Sequence, residues 1–183
     1  MGYATIVNTG FLLLSLSLFR DYQLSAFFLL LTPQALGLAV WALALSVLKL
    51  REGSLEFSDI QGTIQRYPIV FTGLLLAHFS AAALPLLASF PPILAVWEGI
   101  ARQTLVGALW LGAGLAGLFT GAIRTLAVSV MASEKSFWEI NGSWLQNTLI
   151  GIGVLFILIL GVFPQLLHPL LVNLPLAFEH LGG

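Results

Sequence analysis

The sequence lacks cysteine altogether and has few charged residues for its length. Without cysteine, the chain cannot form disulfides, cysteine-ligated zinc sites, Fe–S clusters or a cysteine nucleophile. Charged residues make up 8% of the 183 positions, whereas a soluble domain carries roughly 25%. Such a chain cannot cover a water-facing surface, which excludes a soluble enzyme, and its net charge of -1 offers no basic surface to a nucleic acid. The three histidines are too scattered along the chain to predict a metal site.

Long apolar runs are abundant. Hydrophobic residues form 58% of the chain, and five stretches have the length of a spanning helix, which needs roughly 20 apolar residues. These stretches are residues 3–19, 22–48, 67–97, 105–131 and 145–171. Because a chain in lipid must satisfy its own backbone hydrogen bonds, continuous runs of this kind predict helices. We therefore predict an all-α, multi-pass transmembrane helix bundle that forms a single membrane domain over residues 1–183.

The connection between the second and third stretches is the most polar part of the chain. Its apolar residues are interspersed with polar ones, which predicts a short helix on the membrane surface over about residues 54–66. The bias of lysine and arginine among the connections places the N-terminus and this connection on the cytoplasmic side or its equivalent. Arg66 and Arg124 are predicted to anchor the chain at this level, to phospholipid headgroups or to a partner subunit.

The third stretch contains three internal prolines, Pro85, Pro91 and Pro92. Proline removes a backbone donor and clashes with the preceding helical turn, so we predict that this span is broken or strongly kinked near its middle. A broken span can mark an ion path near the centre of the membrane. A kinked span can equally serve helix packing alone, and both interpretations remain open from the residues.

His78 and Glu98 are the candidates for a proton path, since ionisable groups inside a membrane are rare and usually functional. A histidine titrates near neutral pH and can relay protons, but His78 can also be a neutral side chain bonded to a neighbouring helix. Glu98 can be a proton site or the partner of Arg102, four residues further along a helix. Asn8 and Gln34 also lie inside predicted spans, where we predict hydrogen bonds between helices.

Five segments carry a distinctive order of residues. They are GYATIVNTGF at 2–11, DIQG at 59–62 with QRYP at 65–68, SAAALPLLASF at 80–90, IR at 123–124 and GVFPQ at 161–165. In this order they resemble the tenth to fourteenth helices of the antiporter-like membrane subunits of respiratory complex I (NADH:quinone oxidoreductase), above all the subunit N/M type. The same family includes Mrp-type cation/proton antiporters and membrane-bound hydrogenase subunits. The resemblance covers nearly the whole chain and implies the C-terminal five-helix part of such a subunit.

The sequence departs from the family's pattern at its charged and aromatic positions. Where the family has a lysine or glutamate in the broken helix, as the terminal proton site, this chain has Ile93. Gly121 and Ala122 replace the family's tyrosines just before Arg124. The charged residues of the family's earlier helices would lie before Met1. We therefore expect a shortened relative, or one part of a split subunit, with a partial or degenerate proton channel.

The resemblance implies a membrane subunit of a proton-translocating NAD(P)H or ferredoxin:quinone oxidoreductase, in a bacterial plasma membrane or an organellar energy-transducing membrane. Such a chain would be non-catalytic and hold no cofactor itself, because its partner subunits would carry the flavin, the Fe–S clusters and the quinone. Its partners would be other membrane subunits and lipids, and not nucleic acid. Two alternatives remain: a self-contained small ion transporter, and a structural or assembly protein of the membrane.

Overall fold

The computed structural model describes residues 1–18, 23–53, 61–131 and 143–167. Almost all of these residues are helical, and none of them lies in a β-strand, so the predicted all-α class is confirmed. The helices are α1 Gly2–Leu18, α2 Gln23–Glu52, α3 Thr63–Arg66, α4 Pro68–Ala81, α5 Phe90–Gln103, α6 Leu105–Val130 and α7 Trp144–Val162, followed by a 3₁₀ turn at Pro164–Leu167.

Helix length separates these elements into two groups. In the described part of the chain, α2, α6 and α7 are long and apolar enough to cross a membrane, whereas α1 and α4 are apolar but shorter. Helices α4 and α5 each have 14 residues. At a rise of 1.5 Å per residue, such a helix is about 21 Å long, which is less than the roughly 30 Å of a bilayer's hydrocarbon core.

The observed helix bounds differ from the predicted ones at several places, and α2 continues to Glu52 instead of ending at residue 48. Residues 67–97, predicted as one interrupted span, contain all of α4 and the first part of α5, which continues to Gln103. The fifth predicted span reached residue 171, but α7 ends at Val162. The reason is Pro164, which disfavours the helical conformation of the residue before it. Of the predicted surface helix, the structure describes only α3 and the turn before it, and residues 54–60 lie outside the described residues.

Two apolar clusters form the core. The first, here called the central cluster, joins α2, α4 and α7; its buried residues include Val40, Trp41, Phe71, Leu74, Ile150 and Ile157. The second, here called the α5 cluster, joins α5 to α1, α2 and α6; its buried residues are Phe11, Leu30, Ile93, Val96, Ile100 and Ala108. The residues between α4 and α5 lie where these two clusters meet, since Leu87 belongs to the first and Ala83 packs against the second.

The contacts along α2 fix the direction of its neighbour. The ring of Trp41 stacks on His78, with centroids 4.3 Å apart and an interplanar angle of 28°. One turn earlier, a Cβ added at Gly37 would lie 4.0 Å from the Oγ of Ser80. Residue numbers fall along α2 as they rise along α4, so these two helices run antiparallel.

Helices α5 and α6 form a tight hairpin. Thr104, the one residue between them, caps α6: its Oγ1 accepts a hydrogen bond from the backbone N–H of Gly107 at 3.4 Å. The indole N–H of Trp97 donates to the carbonyl oxygen of Ala108 at 2.8 Å, which ties the two helices together a second time. The hairpin therefore holds α5 against α6 from its connection at Thr104 to Trp97, with the interruption at the other end of α5.

Candidate functional site

The interruption between α4 and α5, residues 82–89, is the centre of the candidate site and is called the break segment below. Helix α4 ends in turns, in which the N–H of Ala82 bonds to the carbonyl of His78 at 3.1 Å and that of Leu84 to Phe79 at 3.0 Å. Ala83 and Leu86 have φ angles of 56° and 72°. Side chains other than glycine rarely adopt this left-handed region, and local strain of this kind is concentrated at functional sites.

The three prolines occupy different positions in the interruption. Pro85 lies in the break segment and is exposed, whereas Pro91 and Pro92 lie in the first turn of α5. Backbone N–H groups in the first turn of a helix have no intrahelical acceptor, so a proline there costs no hydrogen bond. The fixed φ angle of proline also suits the helix. Pro91 and Pro92 therefore start α5, and the chain leaves the helical conformation before them.

Helix α7 packs directly against the break segment. A Cβ added at Gly161 would overlap the backbone carbonyl of Leu86. Because only glycine permits this approach, the main chain of the break segment rests directly on the backbone of α7. The contact also links α7 to Leu86, one of the two non-glycine residues of the described part of the chain that have a positive φ angle.

Three buried polar side chains lie at or beside the break segment, and a fourth, Asn8, lies on α1. Ser80 and Ser89, at its two ends, are joined by a hydrogen bond of 3.2 Å between their hydroxyl groups, and both are fully buried. Asn8 and Gln34 are each 3% exposed. Gln34 lies on α2 between Leu30, which packs in the α5 cluster, and Gly37, which faces Ser80. The antiparallel register therefore places Gln34 at the level of the break segment.

Among the described residues, the interhelical hydrogen bonds predicted for Asn8 and Gln34 are not found. Within the described part of the chain, neither amide has a partner for its nitrogen or its oxygen. Asn8 lies one turn from both Ala4 of the central cluster and Phe11 of the α5 cluster, so it lies where the apolar packing of these two clusters reaches α1. An unpaired buried amide typically costs about 1–3 kcal/mol, which makes the two residues an energetically costly feature of the bundle.

His78 is enclosed by three helices. It belongs to α4, is 9% exposed and stacks on Trp41 of α2. On its other side, a Cβ added at Gly121 of α6 would lie 3.6 Å from both the Cε1 and the Nε2 atom of the ring. The small residue at 121, where the resemblance implies a tyrosine, thus leaves the edge of the imidazole beside the backbone of α6.

The second proton-path candidate does not join the first. Glu98 lies on the exposed side of α5, and no hydrogen bond or ion pair of the described residues connects it to His78. Nor does it pair with Arg102, although both side chains are exposed and four residues apart. The ion pair allowed by that spacing is absent because two exposed side chains gain little from a fixed geometry in solvent.

The two predicted anchoring residues occupy different surroundings. Arg66, at the end of α3, forms an ion pair with Glu52 at the end of α2, with 3.5 Å between Nη1 and Oε1. This contact joins the end of α2 to the end of α3 and was not predicted from the sequence. Arg124 is exposed on α6, past the level of Gly121.

Ile93 lies inside the α5 cluster and is 1% exposed. Its buried neighbours there come from α1, α2 and α6 as well as from α5 itself. The place where the resemblance leads one to expect a charged side chain is therefore filled by hydrocarbon. Among the residues that the structure describes, no group of three histidine, aspartate or glutamate side chains is arranged to hold a metal ion.

Comparison with known proteins agrees with the resemblance noted in the sequence. Residues 1–123, which contain α1 to α5 and most of α6, match the family described as the NADH:quinone oxidoreductase/Mrp antiporter transmembrane family. The chain is also 33% identical over 132 residues to NADH-quinone oxidoreductase subunit 13 of Thermus thermophilus. That match covers 66% of this chain and 26% of the relative, so the chain corresponds to about a quarter of the relative's length.

These matches and the three membrane-length helices of the described part make the chain an integral, multi-pass membrane protein. The family match covers more than half of the residues, and it includes the interruption, the buried polar side chains around it and Ile93. The chain is accordingly an antiporter-like membrane protein of the NADH:quinone oxidoreductase/Mrp antiporter family.

Proposed function

We propose that this chain is a membrane subunit of a proton-translocating NAD(P)H or ferredoxin:quinone oxidoreductase, in which it serves as a partial antiporter-like subunit with little proton transport of its own. The match to a named subunit of NADH-quinone oxidoreductase supports the assembly. The partner subunits would hold the flavin, the Fe–S clusters and the quinone, and this chain would bind none of them. Its partners would be neighbouring membrane subunits and lipids.

The proposed topology has five spans. Helices α4 and α5 together form the third span, since each is too short to cross the hydrocarbon core alone and both are connected through the break segment. Helices α1, α2, α6 and α7 supply the other four. Non-helical backbone at membrane depth is tolerated where protein covers it, and α7 covers the break segment at Gly161.

The observation that carries the proposed degenerate channel is the burial of Ile93 in an apolar cluster. A proton site needs a titratable group at the interruption, and an isoleucine cannot exchange a proton. His78 and the buried polar side chains Asn8, Gln34, Ser80 and Ser89 remain as the polar part of a half-channel. His78 would line one side of it, while Glu98, exposed on α5, would lie outside it.

Proton flux measured with the full chain in lipid vesicles tests the degenerate channel. We expect no proton movement above that of protein-free vesicles when a sodium or potassium gradient is imposed across the membrane. Ion-driven proton exchange by the chain alone would contradict the proposal and favour a self-contained transporter. The Ile93→Lys variant serves as the comparison, because it restores the residue type that the family carries at this position.

Native gel electrophoresis with mass spectrometry, applied to the source membranes, tests the proposed assembly. We expect the chain to migrate in a large particle together with redox subunits. A small homo-oligomer, or migration with proteins unrelated to electron transfer, would contradict the assignment. Within the assembly, His78→Leu should lower the number of protons moved per electron and leave the electron-transfer rate unchanged; an unchanged ratio would remove His78 from the path.

A further inference from the structure

A pocket of about 260 Å³ opens between α5 and α6, next to the break segment. Its walls come from Phe90, Ile93, Leu94 and Trp97 of α5 and from Gly112 and Leu115 of α6. All these side chains are apolar, and the single polar atom among them, the indole nitrogen of Trp97, already donates its proton to the carbonyl of Ala108. An occupant therefore finds hydrocarbon walls and no vacant hydrogen-bonding group on these side chains.

A cation lies at the end of the same helix. Arg102 is exposed one residue before the end of α5 and has no ion-pair partner among the described residues. From Phe90 to Arg102 the helix rises by about 18 Å, at 1.5 Å per residue. One leaflet contributes about half of the roughly 30 Å hydrocarbon core. A lipid with its phosphate at Arg102 thus has acyl chains at the depth of the pocket.

The charge beside Arg102 selects among headgroups. Glu98 is exposed one turn closer to the pocket and, like Arg102, is not engaged in an ion pair within the described part of the chain. The two side chains together carry no net charge. A headgroup with one phosphate and one ammonium group complements them, whereas a headgroup with net negative charge meets repulsion from Glu98.

We propose that the pocket between α5 and α6 binds one acyl chain of a zwitterionic phospholipid whose phosphate is held by Arg102. The apolar walls of the pocket suit an acyl chain, and the length of α5 matches the distance from this acyl chain to the phosphate. Glu98 and Arg102, which together are neutral, favour a zwitterionic headgroup. The site depends on the membrane location of the protein and not on proton transport.

Photo-crosslinking with defined lipids tests the site. The full chain is placed in phosphatidylcholine vesicles that contain a small fraction of phosphatidylethanolamine with a diazirine near the end of one acyl chain. Mass spectrometry of the adducts compares the peptide with residues 90–97 with the exposed, lipid-facing residues Leu155 and Phe156 of α7. We expect adducts enriched on 90–97. Equal labelling of both regions would overturn the proposal.

Variants separate the pocket from the surrounding lipid. Gly112→Leu fills the pocket and should abolish the enrichment, whereas Ala113→Leu, on the adjacent exposed position of α6, should preserve it. Arg102→Gln should reduce the enrichment by about fivefold, since an exposed charge pair contributes up to about 1 kcal/mol. A diacylglycerol probe with the same photoreactive chain but no phosphate, and a phosphatidylglycerol probe, should both show less enrichment than phosphatidylethanolamine.

Two outcomes contradict the proposal. Enrichment that survives Gly112→Leu in a variant with unchanged helix content by circular dichroism would place the lipid elsewhere. Labelling of 90–97 in vesicles that is absent from the source membranes would show that a neighbouring protein, rather than a lipid, fills the pocket. Labelling in both settings supports the lipid.

Discussion

The two apolar clusters of this bundle are packed in opposite ways. In the central cluster the helices cross at glycines: a Cβ added at Gly73 would overlap Ile150, and one added at Gly153 would overlap Val40. The α5 cluster also has a close approach at a glycine, since a Cβ added at Gly107 would lie 3.1 Å from Cγ2 of Ile100, but it leaves a pocket of about 260 Å³ between α5 and α6. Within a membrane, helix association depends on close packing rather than on the hydrophobic effect. The difference indicates that α2, α4 and α7 form the fixed side of the break segment and that the α5–α6 hairpin, as a unit, is the adaptable side.

The contact of Gly161 with Leu86 is the most sensitive point of the fixed side. Gly161→Ala places a methyl group on backbone atoms that cannot rotate away, and overpacking of this kind costs about 1–3 kcal/mol. We expect the loss in free energy of unfolding to lie near the upper end of this range, and the melting temperature in detergent to fall clearly. Gly151→Ala on the same helix meets no atom within 4 Å and should leave the melting temperature almost unchanged. Equal melting temperatures for the two variants would show that the break segment does not rest on α7.

Truncation of one isoleucine in each cluster compares the packing directly. We expect Ile150→Ala to lower the free energy of unfolding by about 2 kcal/mol. Ile150 is fully buried against Gly73, and the rigid helices cannot close the cavity that the truncation leaves. Ile93→Ala should lower the free energy of unfolding by about half as much, because the Ile93 side chain borders the open pocket, which lipid can enter. Unfolding in a detergent series measures both values. A larger loss for Ile93→Ala would reverse the assignment of fixed and adaptable sides.

The smallest effect concerns the boundary between the clusters. Gln34→Met keeps the length of the side chain and removes an amide that has no partner among the described residues. The free energy of unfolding should rise by about 1 kcal/mol, because the variant no longer buries an amide that lacks hydrogen bonds. Gln103→Met, at an exposed position, should change little. A loss of stability in Gln34→Met would mean that the amide is hydrogen-bonded in the membrane.

Local chemistry predicted some elements of the fold well. The bounds of α6 agree with the predicted stretch to within one residue at its end, because a long apolar run in lipid has no alternative to a helix. Irregular residues do lie between Ala81 and Phe90, but that the prolines break a single membrane span there stays a prediction. The sequence alone could not show that Pro91 and Pro92 begin a helix, since proline both ends helices and occupies their first turn.

The arrangement around the break segment could not be predicted. The Ser80–Ser89 hydrogen bond and the contact of Gly161 with Leu86 join residues whose spacing carries no periodic signal, and both depend on how α4, α5 and α7 meet. The lack of partners for Asn8 and Gln34 depends in the same way on helix register. The roles of His78, Glu98, Arg66 and Arg124 stay predictions, although the structure shows that His78 is enclosed and Glu98 is exposed.

The single-residue connection at Thr104 gives α5 a mechanical role. A helix of 14 residues, capped through Thr104 and tied to Ala108 by the indole of Trp97, cannot tilt independently of α6. Its far end adjoins the break segment, in which Ala83 and Leu86 have left-handed backbone angles although neither is a glycine. A neighbouring molecule that tilts α6 therefore also moves α5. The movement reaches the break segment, whose backbone is already strained.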